Sequence, residues 1–178
     1  MDTFTNSMIR AARLDASLYE EVEADPTAMR PAMQVVVLSS VAAGVGSVTE
    51  GGLVGIIAIT LGALLGWYIW AGLTYLIGTR LLAEPQTHAD LGQLLRSTGF
   101  SSSPGVIRLL GIVPGLSMIV MPIAAVWMLV TMIVAVRQAL DYSSTWRAVV
   151  VCLIGWVVQV LVLVGLLLAL APNAVPPA

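Results

Sequence analysis

Very few side chains in this 178-residue sequence could do chemistry. His88 is the only histidine and lies in a polar stretch, so the apolar runs offer no imidazole to a metal or haem. Cys152, the one cysteine, has no histidine beside it and reads as a small residue of an apolar run. Gly44, Gly46, Gly51, Gly52 and Gly55 cluster without the lysine that a phosphate loop needs. The carboxylates crowd the first 31 residues, with no second set to complete an acid–base pair. No catalytic residue, cofactor site or metal site is therefore assigned. Two ionisable groups remain at the apolar runs, Glu50 and Arg108, and such groups are costly at membrane depth and often functional. Glu50 stands beside Gly51-Gly52 and reads as a solvated turn residue ahead of an ion-coupling one. Arg108 lies one turn inside its run and either snorkels back to the surface or takes a structural partner such as Glu84 or Asp90.

The elements that must hold these residues follow from composition. Hydrophobic residues make up 58% of the chain and charged ones 10%, with a mean hydropathy of +0.96. That balance excludes a water-soluble globular domain, a disordered chain and a disulfide scaffold, and a formal charge of −2 excludes a nucleic-acid partner. Residues 1–31 form a charged arm, with Asp2, Asp15, Glu20, Glu21, Glu23 and Asp25 set against Arg10, Arg13 and Arg30. No basic start followed by a cleavage site is present, so the arm reads as retained. Met8, Ala11, Ala12, Leu14, Leu18 and Val22 recur at helical spacing, which predicts an amphipathic helix. Its polar face is acidic, so packing on the protein's own loops is favoured over binding to anionic lipid.

After Pro31 the apolar runs begin. A hydrocarbon core of roughly 30 Å takes about 20 helical residues. Residues 32–49 and 53–79 make two spans with a turn at Gly51-Gly52, and residues 145–171 make a last one before the tail at 172–178. Residues 80–103 read as a polar loop, in which Thr87 and Asp90 have capping-box-like spacing ahead of a short helix through Leu91, Leu94 and Leu95. The stretch 104–137 is too long for one crossing and carries Pro104, Pro114 and Pro122. Splitting it at Pro114-Gly115 gives five spans in all and puts all eight arginines on one face, whereas four spans divide them six to two. The basic flanks of spans gather on the cytoplasmic side. The expectation is an all-α, five-span bundle in the cell membrane, with a cytoplasmic N-terminus and an outer C-terminus.

Small residues make a second pattern. Gly51, Gly55, Ala58, Gly62 and Gly66 fall on one helical face, where backbones approach closely in lipid. The face serves internal packing or a dimer. Trp146 with Tyr142 fits an interfacial belt, and Trp67, Trp70, Trp127 and Trp156 read as core.

The charged arm containing Tyr19-Glu20-Glu21-Val22 and Asp25, followed by an apolar span, resembles bacterial members of the Yip (Ypt-interacting protein) domain family. The clearest likeness is Gly99-Phe100-Ser101-Ser102-Ser103-Pro104, similar to that family's Gly-Tyr/Phe-Ser-x-x-Pro signature. Gly111-Ile112-Val113-Pro114-Gly115-Leu116 and Arg137-Gln138-Ala139-Leu140 add to it. The resemblance implies a five-span membrane protein of membrane organisation or trafficking, with Gly99, Phe100, Ser101 and Pro104 as family-motif residues that could meet a partner. Eukaryotic members imply a Rab-type GTPase partner through an Asp-Leu-Tyr-Gly-Pro-like motif, which Leu18-Tyr19 alone approximates here, so that partner is not carried over. Physically, Pro104 suits the first turn of a helix, Gly99 a turn into the membrane, and the serines a cap. The expected partners are membrane lipids and other integral membrane proteins, or a second copy of the chain, in an adaptor, scaffold or accessory subunit. The rival expectation is a small transporter or a lipid- or ion-handling channel, which requires Gln34, Ser39, Thr60 and Gln159 to converge on one cavity.

Overall fold

A computed structural model describes residues 3–46 and 48–170 of the chain, and every regular element among them is helical. Two short helices open it, α1 (Phe4–Ala12) and α2 (Ala16–Ala24), joined through Leu14 at a left-handed φ of 65°. Thr3 and Asp15 cap their N-termini by accepting from the Asn6 and Ser17 amides. A 3-10 turn, Pro26–Ala28, leads into α3 (Met29–Gly46). Helix α4 (Val48–Leu76) continues into a π-helical segment, Ile77–Leu81. Helix α5 (Leu91–Ser101) runs into a ten-residue 3-10 segment, Ser103–Ile112, and α6 (Ser117–Ala139) and α7 (Thr145–Leu170) complete the bundle.

Four of the described helical stretches are long and apolar enough to cross a membrane: Pro26–Gly46, Thr60–Leu81, Ser117–Ala139 and Thr145–Val162. Their outward faces carry large apolar side chains such as Leu65, Met118, Val126 and Leu161, all more than half exposed, as a hydrocarbon surround requires. Between 104 and 113, where a regular span was expected, stands the 3-10 segment. Ten residues at about 2 Å each rise only about 20 Å, short of a hydrocarbon core without α5 in front of it. The turn at Pro114-Gly115 is where the sequence placed it, with Gly115 at φ +82°.

Three other expectations change. Gly51-Gly52 does not turn the chain: helix α4 already begins at Val48, so Glu50 and both glycines lie within its first turns. Their side chains fall outside the described residues, as does the tail 172–178. The capping box at α5 is closed by Asp90 and Gln93, while Thr87 instead donates to the Leu140 carbonyl at 3.0 Å. Most important, residues 94–103 are not surface loop but buried, because α5 is inserted between α2, α3, α4 and α6.

The direction of each element is read from its neighbours. Gly99 lies against Ala32, Gly105 against Ser39 and Gly111 against Gly46, so α5 and the 3-10 segment run alongside α3 in the same direction. Helix α6 runs back, with Met128 beside Gly105 and Thr131 donating to the Ser101 carbonyl at 2.7 Å. Gln159 beside Gly66 and Gly155 beside Trp70 make α7 antiparallel to α4.

These contacts are unusually close. A Cβ on Gly46 would stand 2.1 Å from the Arg108 carbonyl oxygen, one on Gly99 2.8 Å from the Cβ of Ala32, and one on Gly111 2.9 Å from the Gly46 carbonyl oxygen. The spacing explains how several such contacts coexist. Ala32, Ser39 and Gly46 recur every seven residues, nearly two α-helical turns, which rise about 10.5 Å. Gly99, Gly105 and Gly111 recur every six; the step from Gly105 to Gly111 lies wholly in the 3-10 segment, where six residues are two whole turns that rise about 12 Å, and the step from Gly99 crosses the end of α5. The two ladders therefore stay in step. By contrast, a Cβ at Gly55 or Gly62 meets nothing within 4 Å, one at Gly66 meets only the Gln159 amide at 3.8 Å, and Ala58 is exposed. The small-residue face of α4 is not filled by another span of the described chain.

Gly46→Ala and Gly111→Ala should each destabilise the detergent-solubilised protein by about 1–3 kcal/mol, the usual cost of overpacking. Gly55→Ala and Gly62→Ala should be neutral or stabilising by up to about 1 kcal/mol, since alanine is the better helix former. Equilibrium unfolding in mixed micelles separates the two pairs.

Candidate functional site

Arg108 sits at the centre of the ladder. Its backbone carbonyl packs on Gly46, but its side chain turns back along α3 to Ser39, which stands ten residues, about 15 Å, into that helix. Nε donates to the Gly105 carbonyl at 3.0 Å, and Nη2 donates to the Ser39 carbonyl at 3.1 Å and to Ser39 Oγ at 2.7 Å. Gly105 makes the seat: a Cβ there would stand 2.0 Å from Ser39 Oγ and 2.6 Å from Nη2. Neither carboxylate expected as a partner is used. Glu84 is taken by Arg147 Nε at 2.8 Å and by Ser143, and Asp90 caps α5. The guanidinium does reach back along α3, yet it stops inside the bundle, held by neutral oxygens.

Beside it lies a cavity of about 310 Å³ to which α3, α4, α6 and α7 and the α5 junction contribute. Ser39 and Gln159 share this cavity, but Gln34 lies in a separate outer groove with Arg30 and Met33, so the four polar residues a conduit would need do not converge.

The family-like motif is enclosed by the chain itself. Gly99 through Pro104 are all buried. Gly99 does not turn the chain but allows contact with α3, and Phe100 packs with Leu18, Tyr19 and Val22 of the arm. The serines cap no N-terminus. Ser101 Oγ donates to the Thr98 carbonyl at 2.7 Å and Ser103 Oγ to the Phe100 carbonyl at 2.6 Å, closing the end of α5, whose last carbonyls lack helical partners. Pro104 opens the 3-10 segment, where its missing N–H costs nothing.

The arm docks on this junction. Arg10 holds α1 to α2 through Asp15 at 2.7 Å and a two-pronged bond to Glu21 at 2.9 and 2.8 Å. Ser17, then Arg10, lower the Asp15 carboxyl to about 2. Tyr19 is fully buried and donates to the Ala11 carbonyl at 3.2 Å; burial pushes its phenol above the usual range. From α5, Arg96 donates to the Val22 carbonyl at 2.9 Å and to that of Glu23, placing a cation at the C-terminal end of α2. From α6, Trp127 donates to the Ala12 carbonyl at 2.8 Å and Gln138 to Glu20 at 2.7 Å. Trp127 is thus a strap for the arm rather than core. Trp156 faces outward, and Tyr142 is buried with its hydroxyl on the Gly78 carbonyl at 3.0 Å, so of the pair expected at the interface only Trp146 is exposed. At one end of the bundle the arm is bonded to the start of α5 and the end of α6, and the 82–90 loop to the 140–144 loop.

Arg96, Trp127 and Gly105 were missed as site residues from the sequence. The six-residue recurrence of Gly99, Gly105 and Gly111 is the one legible signal for Gly105, and nothing in the order of residues marks Arg96 or Trp127.

Apolar membrane-length helices around a buried junction define an all-helical membrane protein. A family model for the Yip1 domain matches residues 16–167, and the chain belongs to that family, which is one of membrane trafficking. No curated protein and no solved structure gives a significant match.

Glu23 makes arm docking sensitive to pH. Burial, followed by the charge of Asp141, raises its carboxyl from 4.5 to about 7; Glu20 and Asp90 add to this and Arg96 opposes it. A raised carboxyl holds its proton in the docked state and loses it on release. Docking is therefore fully favoured below pH 4.5 and weakens as pH climbs through about 7. Amide exchange of residues 4–24, corrected for intrinsic rate, should increase from about pH 6 to about pH 8 in the wild type and stay flat in Glu23→Gln.

Proposed function

We propose that the chain is a non-enzymatic adaptor, scaffold or accessory subunit that works by packing against another integral membrane protein or a second copy of itself. The observation that carries this reading is the open face of α4 at Gly55 and Ala58, where space remains for a neighbouring backbone. Helices without a hydrophobic drive between them associate through such small-residue faces in lipid. The parts beyond the apolar helices are short and bonded to one another, which leaves them suited to positioning rather than to a catalytic domain. Gly55→Leu with Ala58→Leu should leave the fold intact and lower recovery of the co-purifying membrane protein, or of the homodimer, at least tenfold. A monodisperse wild-type chain that has no partner and moves a solute in liposomes would overturn the proposal.

In this reading α5 and the 3-10 segment together serve as the third of five crossings, and the end bearing the arm faces the cytoplasm of a cell membrane. Support comes from the same-direction run along α3 and from the gathering of Arg10, Arg96, Arg137 and Arg147 at the arm's end. In a Cys152→Ala background, a cysteine at Gln86 should react with an impermeant thiol reagent only in opened cells, and one at Val113 in intact cells. Labelling of both from the same side would sink the five-crossing topology.

A further inference from the structure

We propose that the cavity beside Arg108 binds the phosphate of an anionic phospholipid drawn into the bundle from the side. The first observation is a charge without a counter-charge. Arg108 carries a guanidinium, yet its bonds go to two carbonyls and a hydroxyl, which accept hydrogen bonds without neutralising the charge. The ion pairs of the described residues belong to Arg10 and Arg147. The only carboxylate of α4, Glu50, lies twelve residues, about 18 Å along the helix, from Gly62 at the cavity wall. A desolvated guanidinium with no anion is costly, and an anion entering the cavity removes that cost.

The second observation is the supply of donors. Nη1 of Arg108 has no partner among the described residues. Ser39 Oγ, almost wholly buried, accepts from Arg108 and gives its own proton to no acceptor among them. Gln159, which lines the same cavity, brings an amide. Several donors around one cation fit a phosphate, whose oxygens accept from many directions. Among the described residues no carboxylate lines the cavity to receive an ammonium, which favours a phosphatidylglycerol-type head over phosphatidylethanolamine.

The third observation is the way in. The α4 wall is Gly62, Ala63 and Gly66, flanked by the exposed Leu61 and Leu65, and nothing lies within 4 Å of a Cβ built on Gly62. The missing side chains open the cavity toward the hydrocarbon, so the acyl chains stay in the bilayer while the phosphate enters.

Native mass spectrometry of the full chain, released from micelles holding equal phosphatidylglycerol and phosphatidylethanolamine, tests this. The wild type should retain one phosphatidylglycerol at least tenfold over phosphatidylethanolamine. Arg108→Gln, which keeps hydrogen bonding and removes the charge, should lose that preference. Gly62→Leu keeps the fold, because the position is open, and should lower occupancy at least fivefold by blocking the mouth. Added inorganic phosphate and oleate should not displace the lipid. Displacement by phosphate would assign the site to a soluble anion, and displacement by oleate to a carboxylate, and either overturns the proposal. Equal lipid retention by wild type, Arg108→Gln and Gly62→Leu overturns it as well.

Discussion

Where α3 meets the 3-10 segment, two backbones lie close enough that a single methyl group would collide with a carbonyl, and the rest of the bundle is arranged around that contact. Gly46 and Gly111 touch at one end, Ala32 and Gly99 at the other, and Ser39 with Gly105 between them. Such proximity replaces the hydrophobic effect, which does not drive helices together inside lipid, with dispersion between packed atoms. It also fixes where Arg108 can go. With Gly105 in place the guanidinium reaches Ser39; with a side chain there it has no seat.

The same junction couples the bundle to the arm. Phe100 faces the arm one residue after Gly99 faces α3, so a shift in either contact is felt in the other. Arg96 sits three residues before Gly99 on the same helix and grips the last carbonyls of α2. Three buried hydroxyls at this end of α5 follow one rule: Thr98, Ser101 and, just beyond the helix, Ser103 each donate to a backbone carbonyl three or four residues back, while the Ser97 hydroxyl is left without a partner among the described residues. That local satisfaction is what lets so polar a stretch lie inside the protein.

It is also why the stretch misled the sequence reading. Arg96, Thr98 and the serines from Ser101 to Ser103 read as a water-facing loop when each side chain is scored alone, and only the carbonyls they meet make burial affordable. Apolar runs were legible, because hydropathy over about 20 residues is a strong signal. The Pro114-Gly115 turn was legible too, from two residues with restricted and permissive backbones. The 3-10 segment was not: Arg108 is the one polar residue of Val106–Ile112, and a period of 3.0 has no second polar position from which to be counted. The α4 glycines stood out because they are crowded in sequence, yet the ladder's closest contacts belong to glycines that look isolated. Pairing across elements, which one chain read in order does not display, identifies them.

Heptad and hexad steps do not match perfectly. Each seven-residue step along α3 falls about 20° short of two full turns, while each six-residue step of a 3-10 helix returns to its starting azimuth. The rises differ too, by about 1.5 Å over the repeat that is wholly 3-10, Gly105 to Gly111. Over the two repeats present, side-chain-free glycines absorb these offsets; over a third, the contact stripe of α3 would have rotated about 60° away from its partner. The junction is therefore a vernier with a built-in stop. It can be read once, at a single register, and an insertion of one residue into either element would leave no second alignment for the pair to slide into.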